Sequence, residues 1–119
     1  MKRRIVWGTC AGVVLTFVLA GCLFLGNLNP IASFTATPDH GASPLSVDFD
    51  ASASSDPDGT IAEYYWNFGD GQTASLTLAT VTHEYTNVQS DPQVFTAILT
   101  VTDNLGAEDS AAKNITVDP

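Results

Sequence analysis

The stretch Tyr64-Tyr65-Trp66-Asn67-Phe68-Gly69-Asp70-Gly71 decides how the rest of the chain is read. Successive side chains of a strand point to opposite sides, so Tyr64, Trp66 and Phe68 share one face and Tyr65 takes the other. A face built from large rings is a core face. Gly69-Asp70-Gly71 then supplies residues that tolerate positive φ, the chemistry of a tight hairpin. The segment reads as a central strand of a small all-β domain.

The same period of two recurs on either side. Leu45, Val47 and Phe49 alternate with Ser46, Asp48 and Asp50, and Phe95, Ala97, Leu99 and Val101 alternate with Thr96, Ile98, Thr100 and Thr102. Further strands are expected over residues 31–37, 75–81 and 107–117, with a short extended piece at 83–85. Turn chemistry separates them: Pro38 with Asp39-His40-Gly41, Asp56-Pro57-Asp58-Gly59, and Asp103-Asn104-Leu105-Gly106. No segment after Pro30 carries a 3.6-residue period. About seven short strands predict an immunoglobulin-like antiparallel β-sandwich over residues 30–119.

The first 21 residues are of another kind. Lys2, Arg3 and Arg4 precede an uncharged apolar run that ends in Leu19-Ala20-Gly21-Cys22. This is the layout of a secretory signal, and its last four residues resemble a prokaryotic lipobox. The resemblance implies cleavage before Cys22 and a diacylglycerol on its thiol. The competing reading is a retained helix, since about 20 apolar residues span a bilayer; the small pair before Cys22 favours lipidation. Either way the basic residues hold the N-terminus inside and place everything after Cys22 outside the membrane. Residues 22–29 then form a lipid-anchored linker whose stretch from Leu23 to Asn29 reaches at most ~25 Å, so the domain is expected to sit close to the membrane surface.

Charge narrows the partners. Once residues 1–21 are removed, Lys113 is the single Lys or Arg against thirteen Asp and Glu, a formal charge of −12. Such a surface repels phosphate backbones and excludes nucleic acid. Cys10 and Cys22 both lie outside the folded part, which therefore relies on its apolar core alone.

Ser33-Phe34-Thr35-Ala36-Thr37-Pro38, Pro44 to Ser52, Ser55-Asp56-Pro57-Asp58-Gly59, Tyr64 to Gly71, His83-Glu84-Tyr85 and Leu99 to Asp103 resemble, in that order, the PKD (polycystic kidney disease) domain family. The resemblance spans nearly all of residues 30–118. It implies a β-sandwich used for extracellular protein–protein or protein–carbohydrate contacts, often as an accessory module on secreted hydrolases and surface-layer proteins. Two positions depart from the family pattern. Asn67 stands where Asp is usual, and Phe95, after a lengthened loop, stands where a Tyr commonly leads into the penultimate strand. Phe95 has no hydroxyl to tie a corner, a role that Tyr85 could take.

Asp50, Asp56 and Asp58 crowd one loop, and the resemblance adds that some PKD-like domains hold calcium near this region. Carboxylates at such spacing suit Ca²⁺, but Asp-Pro-Asp-Gly is also ordinary turn chemistry, which is the preferred reading. The motifs require no cofactor; calcium is the one candidate. His40 and His83 are far apart and lack further ligands for zinc. No Gly-x-Ser-x-Gly elbow or phosphate loop is present, and the chain is not expected to be an enzyme. Tyr65 is the candidate contact residue on the outer face, with Ile98 beside it in character, although isolated exposed aromatics are common. Asn114-Ile115-Thr116 is a glycosylation-type sequon.

These readings converge on an extracytoplasmic binding module, anchored to the membrane through Cys22, that contacts an extracellular protein or polysaccharide. The alternatives are a structural envelope or surface-layer component, and an accessory module of a separate secreted hydrolase.

Overall fold

A computed structural model describes residues 26–119; the expected signal and Cys22 lie outside these residues. The regular elements form eight strands: β1 (Thr35–Thr37), β2 (His40–Ala42), β3 (Leu45–Asp50), β4 (Ile61–Asn67), β5 (Thr73–Leu76), β6 (Thr80–Tyr85), β7 (Gln93–Asp103) and β8 (Glu108–Asp118). They make a three-stranded sheet, β1-β3-β6, packed on a five-stranded sheet, β2-β8-β7-β4-β5. The all-β sandwich is as expected.

Three details differ from the strand pattern that local spacing predicts. The first expected strand, 31–37, is interrupted: Ile31 makes only an isolated bridge to Ser55, and regular pairing starts at Thr35. After Pro38 the chain crosses to the other sheet, where β2 pairs with β8 in parallel, so the sandwich is mixed rather than wholly antiparallel. The weak strand at 75–81 is really two. β5 ends at Leu76 in the five-stranded sheet, and Thr77-Leu78-Ala79 carries the chain across to β6 in the other, which absorbs 83–85. Period-two patterning reports which side of a strand is buried but does not say when a strand changes sheets.

The two alternating faces meet as expected. Trp66, Tyr85, Leu99, Val47, Val101, Ile115 and Val117 are wholly buried, with Phe34, Phe49 and Phe68 nearly so. Trp66 is opposite Leu99 in the β4–β7 register, and Leu99 is opposite Ala111 in β7–β8. Phe34 meets Trp66 edge-on at 5.2 Å, and Phe49 lies 5.3 Å from Trp66 and 5.5 Å from Phe68. Aromatic pairs at such separations add about 0.5–1.5 kcal/mol each beyond the area they bury. Lys113 covers the Phe34 ring from 5.9 Å.

The hairpin after β4 is held from three directions. Asn67 Oδ1 accepts the Gly69 amide at 3.1 Å, so the amide side chain serves the turn where the family pattern has a carboxylate. Asp70 accepts the Gln72 amide with one oxygen and faces His83 Nε2 at 2.7 Å with the other. The His83 ring stacks on Phe68 at 3.9 Å. Tyr85, fully buried, donates its hydroxyl to the Phe68 carbonyl at 2.8 Å. Burial, helped by the Asp70 charge, pushes the Tyr85 phenol well above its ordinary pKa. Tyr85 therefore ties sheet to hairpin and leaves the lengthened loop at 86–92 untouched. That loop is secured by Asn87, whose amide donates to the carbonyls of Asp91 and Val117 at 2.9 and 2.8 Å while its oxygen accepts the Gln89 amide.

Candidate functional site

The acidic loop expected between β3 and β4 meets the β7–β8 turn at one end of the sandwich. Carboxylate oxygens of Asp56, Asp58 and Asp103 all lie within 4.8 Å of one another. Asp50 is not in this group. It ends β3, where Ser52 donates its amide to Asp50 at 2.8 Å, and the hydrogen bonds from Ser52 hold the Asp50 pKa below its ordinary value. Of the trio expected from spacing, Asp50, Asp56 and Asp58, the structure brings Asp56 and Asp58 together and groups them with Asp103 instead of Asp50. The strand end carries Asp50 away, while the β7–β8 turn brings Asp103 in from much further along the chain.

One backbone bond and one side-chain bond join the two loops. The Asn104 amide donates to the Thr60 carbonyl at 3.0 Å, and Asn104 Oδ1 accepts the Thr60 amide at 3.2 Å. Gly59 permits the close approach, since a Cβ there would lie 2.4 Å from Asn104 Oδ1 and 2.8 Å from an Asp56 oxygen. The chain N-terminal to β1 closes the third side. Asn27 Nδ2 donates to Asp103 at 2.7 Å and the Leu28 amide donates to Asp58 at 2.8 Å. Asn27 and Leu28, read from the sequence as tether, are thus hydrogen-bonded to this end of the sandwich.

The three carboxylates have different electrostatic settings. Burial pushes Asp103 up, but donors from Asn27 and from the amides of Leu105, Ala107 and Gly106 outweigh it, so its pKa lies below the ordinary value. Asp103 is thereby kept charged although only 2% exposed. Asp56 goes the other way: burial first, then the neighbouring Asp58 and Asp103, raise its pKa. Both Asp56 oxygens are shielded from solvent and find no hydrogen-bond donor. A buried carboxylate without a donor is costly and calls for a positive partner.

That orphaned carboxylate is the test of whether the residues suit a metal ion. All the offered atoms are hard oxygens, which select Ca²⁺ or Mg²⁺ over softer metals. Calcium–oxygen distances of about 2.3–2.6 Å put ligands of one ion up to about 5 Å apart, which matches the spread of this group. The residues fit the ion. The histidines offer no second centre: His40 lies on β2 and pairs with Asp118 at 3.0 Å, whereas His83 lies on the other sheet against Asp70.

Tyr65 projects from the outer face of the five-stranded sheet and is 39% exposed; Ile98, at 38%, is on the same face of β7. Asn114 of the sequon is exposed on β8 and accepts the Thr96 hydroxyl at 2.9 Å.

Known proteins share both the fold and the sequence. The PKD domain family matches residues 27–117. The chain is 39% identical over 92 residues to the pre-pro-metalloprotease PrtV of Vibrio cholerae serotype O1, covering 77% of this chain and 9% of that protein. It is 38% identical over 71 residues to collagenase ColA of Clostridium perfringens, covering 60% of this chain and 6% of that protein. It thus spans less than a tenth of either relative. Among solved structures, the PKD1 domain of the V. cholerae metalloprotease PrtV superimposes with a TM-score of 0.62 at 36% identity, over 77% of this chain and all of that one. A structure described as carbohydrate-binding modules of the β-sandwich superfamily superimposes with a TM-score of 0.72 at 41% identity, over 79% of this chain and 36% of that one. With its Trp66-to-Gly71 hairpin, its sandwich and its matched span in agreement, the chain belongs to the PKD domain family.

Proposed function

We propose that this chain is a non-catalytic extracytoplasmic binding module, held at the membrane through a lipid on Cys22, with calcium pinning its loop end. The observation that carries the binding role is the filled interior. Thirteen apolar side chains from Phe34 to Val117 close the space between the sheets, so ligands must be met on outer faces and loop ends rather than in a cleft. The orphaned Asp56 carboxylate supports calcium, with Asp56, Asp58 and Asp103 as the protein ligands. Calcium would supply the positive charge that these three lack and cross-link the loops on which they sit.

The decisive experiment retains the membrane-extracted full chain on immobilised extracellular polysaccharides and envelope proteins, with and without excess chelator. Retention of at least one partner supports the module. Its complete failure, together with concentration-dependent self-association, would favour a structural envelope component instead. Melting tests the metal separately: a ligand of the native state raises the midpoint, so an unchanged midpoint in chelator eliminates calcium. Intact mass tests the anchor, since residues 1–21 still attached would exclude lipidation. The matches to a metalloprotease and a collagenase, each covered over less than a tenth of its length, favour as a second reading an accessory module that serves a hydrolase.

A further inference from the structure

The outer faces of the two sheets place their charges differently. On the three-stranded sheet the outward positions include Asp48, Asp50 and Glu84. On the five-stranded sheet the register aligns Ser75, Tyr65, Thr100 and Ser110 across β5, β4, β7 and β8 in one row. The next row places Asn67 beside Ile98, and the row after that places Thr96 beside Asn114. None of these side chains is ionisable at neutral pH. Charge stands at the two ends of the face: Glu63, Thr102 and Glu108 align toward the acidic loops, with the Glu63 carboxylate accepting the Ser75 hydroxyl, and His40 pairs with Asp118 at the other end.

A domain of charge −12 whose central rows on one broad face, from Tyr65 to Asn114, contain no acidic residue has a surface suited to an uncharged partner. Anionic polymers would be repelled by the surrounding carboxylates within a Debye length of about 8 Å. A second copy of the chain would bring its own −12 with it, and the face offers few large apolar side chains to outweigh that, whereas self-associating faces are the more apolar kind. What the face does offer is an exposed phenol ring flanked by hydroxyls and amides. Some of these already pair with one another, as Thr100 does with Ser110 at 2.8 Å and Thr96 with Asn114 at 2.9 Å. Each retains hydrogen-bonding capacity toward solvent or a ligand. An aromatic body with a polar tip stacks on the C–H face of a sugar ring while its neighbours bond the hydroxyls.

We propose that the outer face of the five-stranded sheet binds an uncharged polysaccharide, with Tyr65 as the stacking platform and Asn67, Thr96 and Thr100 as hydrogen-bonding partners. This assignment rests on the binding-module reading and narrows it to one face and one ligand class. The test measures retention of the detergent-solubilised full chain on insoluble cellulose, chitin and curdlan, with alginate beads as the polyanion. The expected result is retention on at least one uncharged polymer, unaffected by added salt, and none on alginate. Tyr65→Ala and Thr100→Glu should each weaken it about tenfold, the effect of losing one contact at the centre of an interface. Thr82→Ala and Asp48→Ala, on the opposite sheet, should leave it unchanged. Asn67→Asp, at an exposed position, provides a further carboxylate on the face should Tyr65→Ala fail to fold.

Failure on all three uncharged polymers overturns the assignment, as does retention that survives Tyr65→Ala and Thr100→Glu or maps to Thr82 or Asp48. Self-association lost in Tyr65→Ala would overturn it in favour of a dimer face. Capture of an envelope protein without any polymer would overturn this ligand class but leave the binding-module reading intact. Retention of neither polymer nor protein would defeat both.

Discussion

Gly69 and Gly71 both have positive φ, +85° and +93°, yet only one is sterically confined. A Cβ on Gly69 would lie 2.4 Å from the Thr96 carbonyl oxygen and 2.9 Å from the Thr96 amide nitrogen. Both are backbone atoms of β7, locked in the β7–β8 ladder opposite Asn114, so they cannot swing aside as a side chain would. At Gly71 an added Cβ meets nothing within 4 Å. Gly71→Ala should therefore cost only the left-handed strain, about 1–2 kcal/mol. Gly69→Ala carries the same strain plus a forced displacement of packed structure worth about 1–3 kcal/mol. The total, about 2–5 kcal/mol, is large against the stability expected of a domain of this size. Urea denaturation of the two variants beside the parent measures both values, and the difference between variants removes the shared term. Midpoints in heat should separate by about 4–8 °C per kcal/mol. If the two glycines prove equally replaceable within about 0.5 kcal/mol, the hairpin is not pressed against β7 and the steric argument is wrong.

Tyr85→Phe keeps the packed ring but strands the Phe68 carbonyl, and should lower stability by about 1–2 kcal/mol in denaturant titration; a loss below about 0.3 kcal/mol would mean that this bond contributes nothing net. Asn87→Ala removes the donors to Asp91 and Val117 and should cost about 2–4 kcal/mol, accompanied by faster amide exchange at Gln89, whose partner is lost. For Asp56 the folded pKa is raised above 3.8, so its contribution favours the folded state below that value and is lost as pH rises through the raised pKa. In chelator, acidification from pH 7 toward the raised pKa should thus increase the melting temperature. Asp56→Asn should flatten that response and abolish stabilisation by calcium, and a pH profile identical in parent and variant would clear Asp56 of the role. Asp103 has the opposite sign: its folded pKa is lowered, so its stabilisation is lost only as pH falls below 3.8 and through that lower value, a loss that Asp103→Asn should remove.

The alternation in β3, β4 and β7 was enough to identify the sandwich and most of its core. Each strand's own spacing sets which side is apolar, and burial of that side is the dominant favourable term. The hairpin after Phe68 was equally legible, since Gly69-Asp70-Gly71 is turn chemistry within three residues. The limits of such reading are just as physical. Local patterning could not show that 75–81 changes sheets, or that β2 would lie parallel to β8, because those choices depend on which edge is open after the other strands have paired. Nothing in the residues around Asn87 distinguished it from its loop neighbours; its importance comes from the Val117 carbonyl 30 residues away.

The candidate metal group shows the same division. Asp56 and Asp58 were visible together because a single turn holds both. Replacing Asp50 with Asp103, and adding Asn27 and Leu28 as donors to the group, required two loops and the chain start to converge at one end of the sandwich. Sequence by itself determined the class of fold, the hairpin and the acidic character of the domain, since these follow from short-range spacing and composition. Only tertiary structure decided which carboxylates meet, which one is left buried without a donor, and which sheet face keeps its charges to its ends, because those properties arise from contacts between residues distant along the chain.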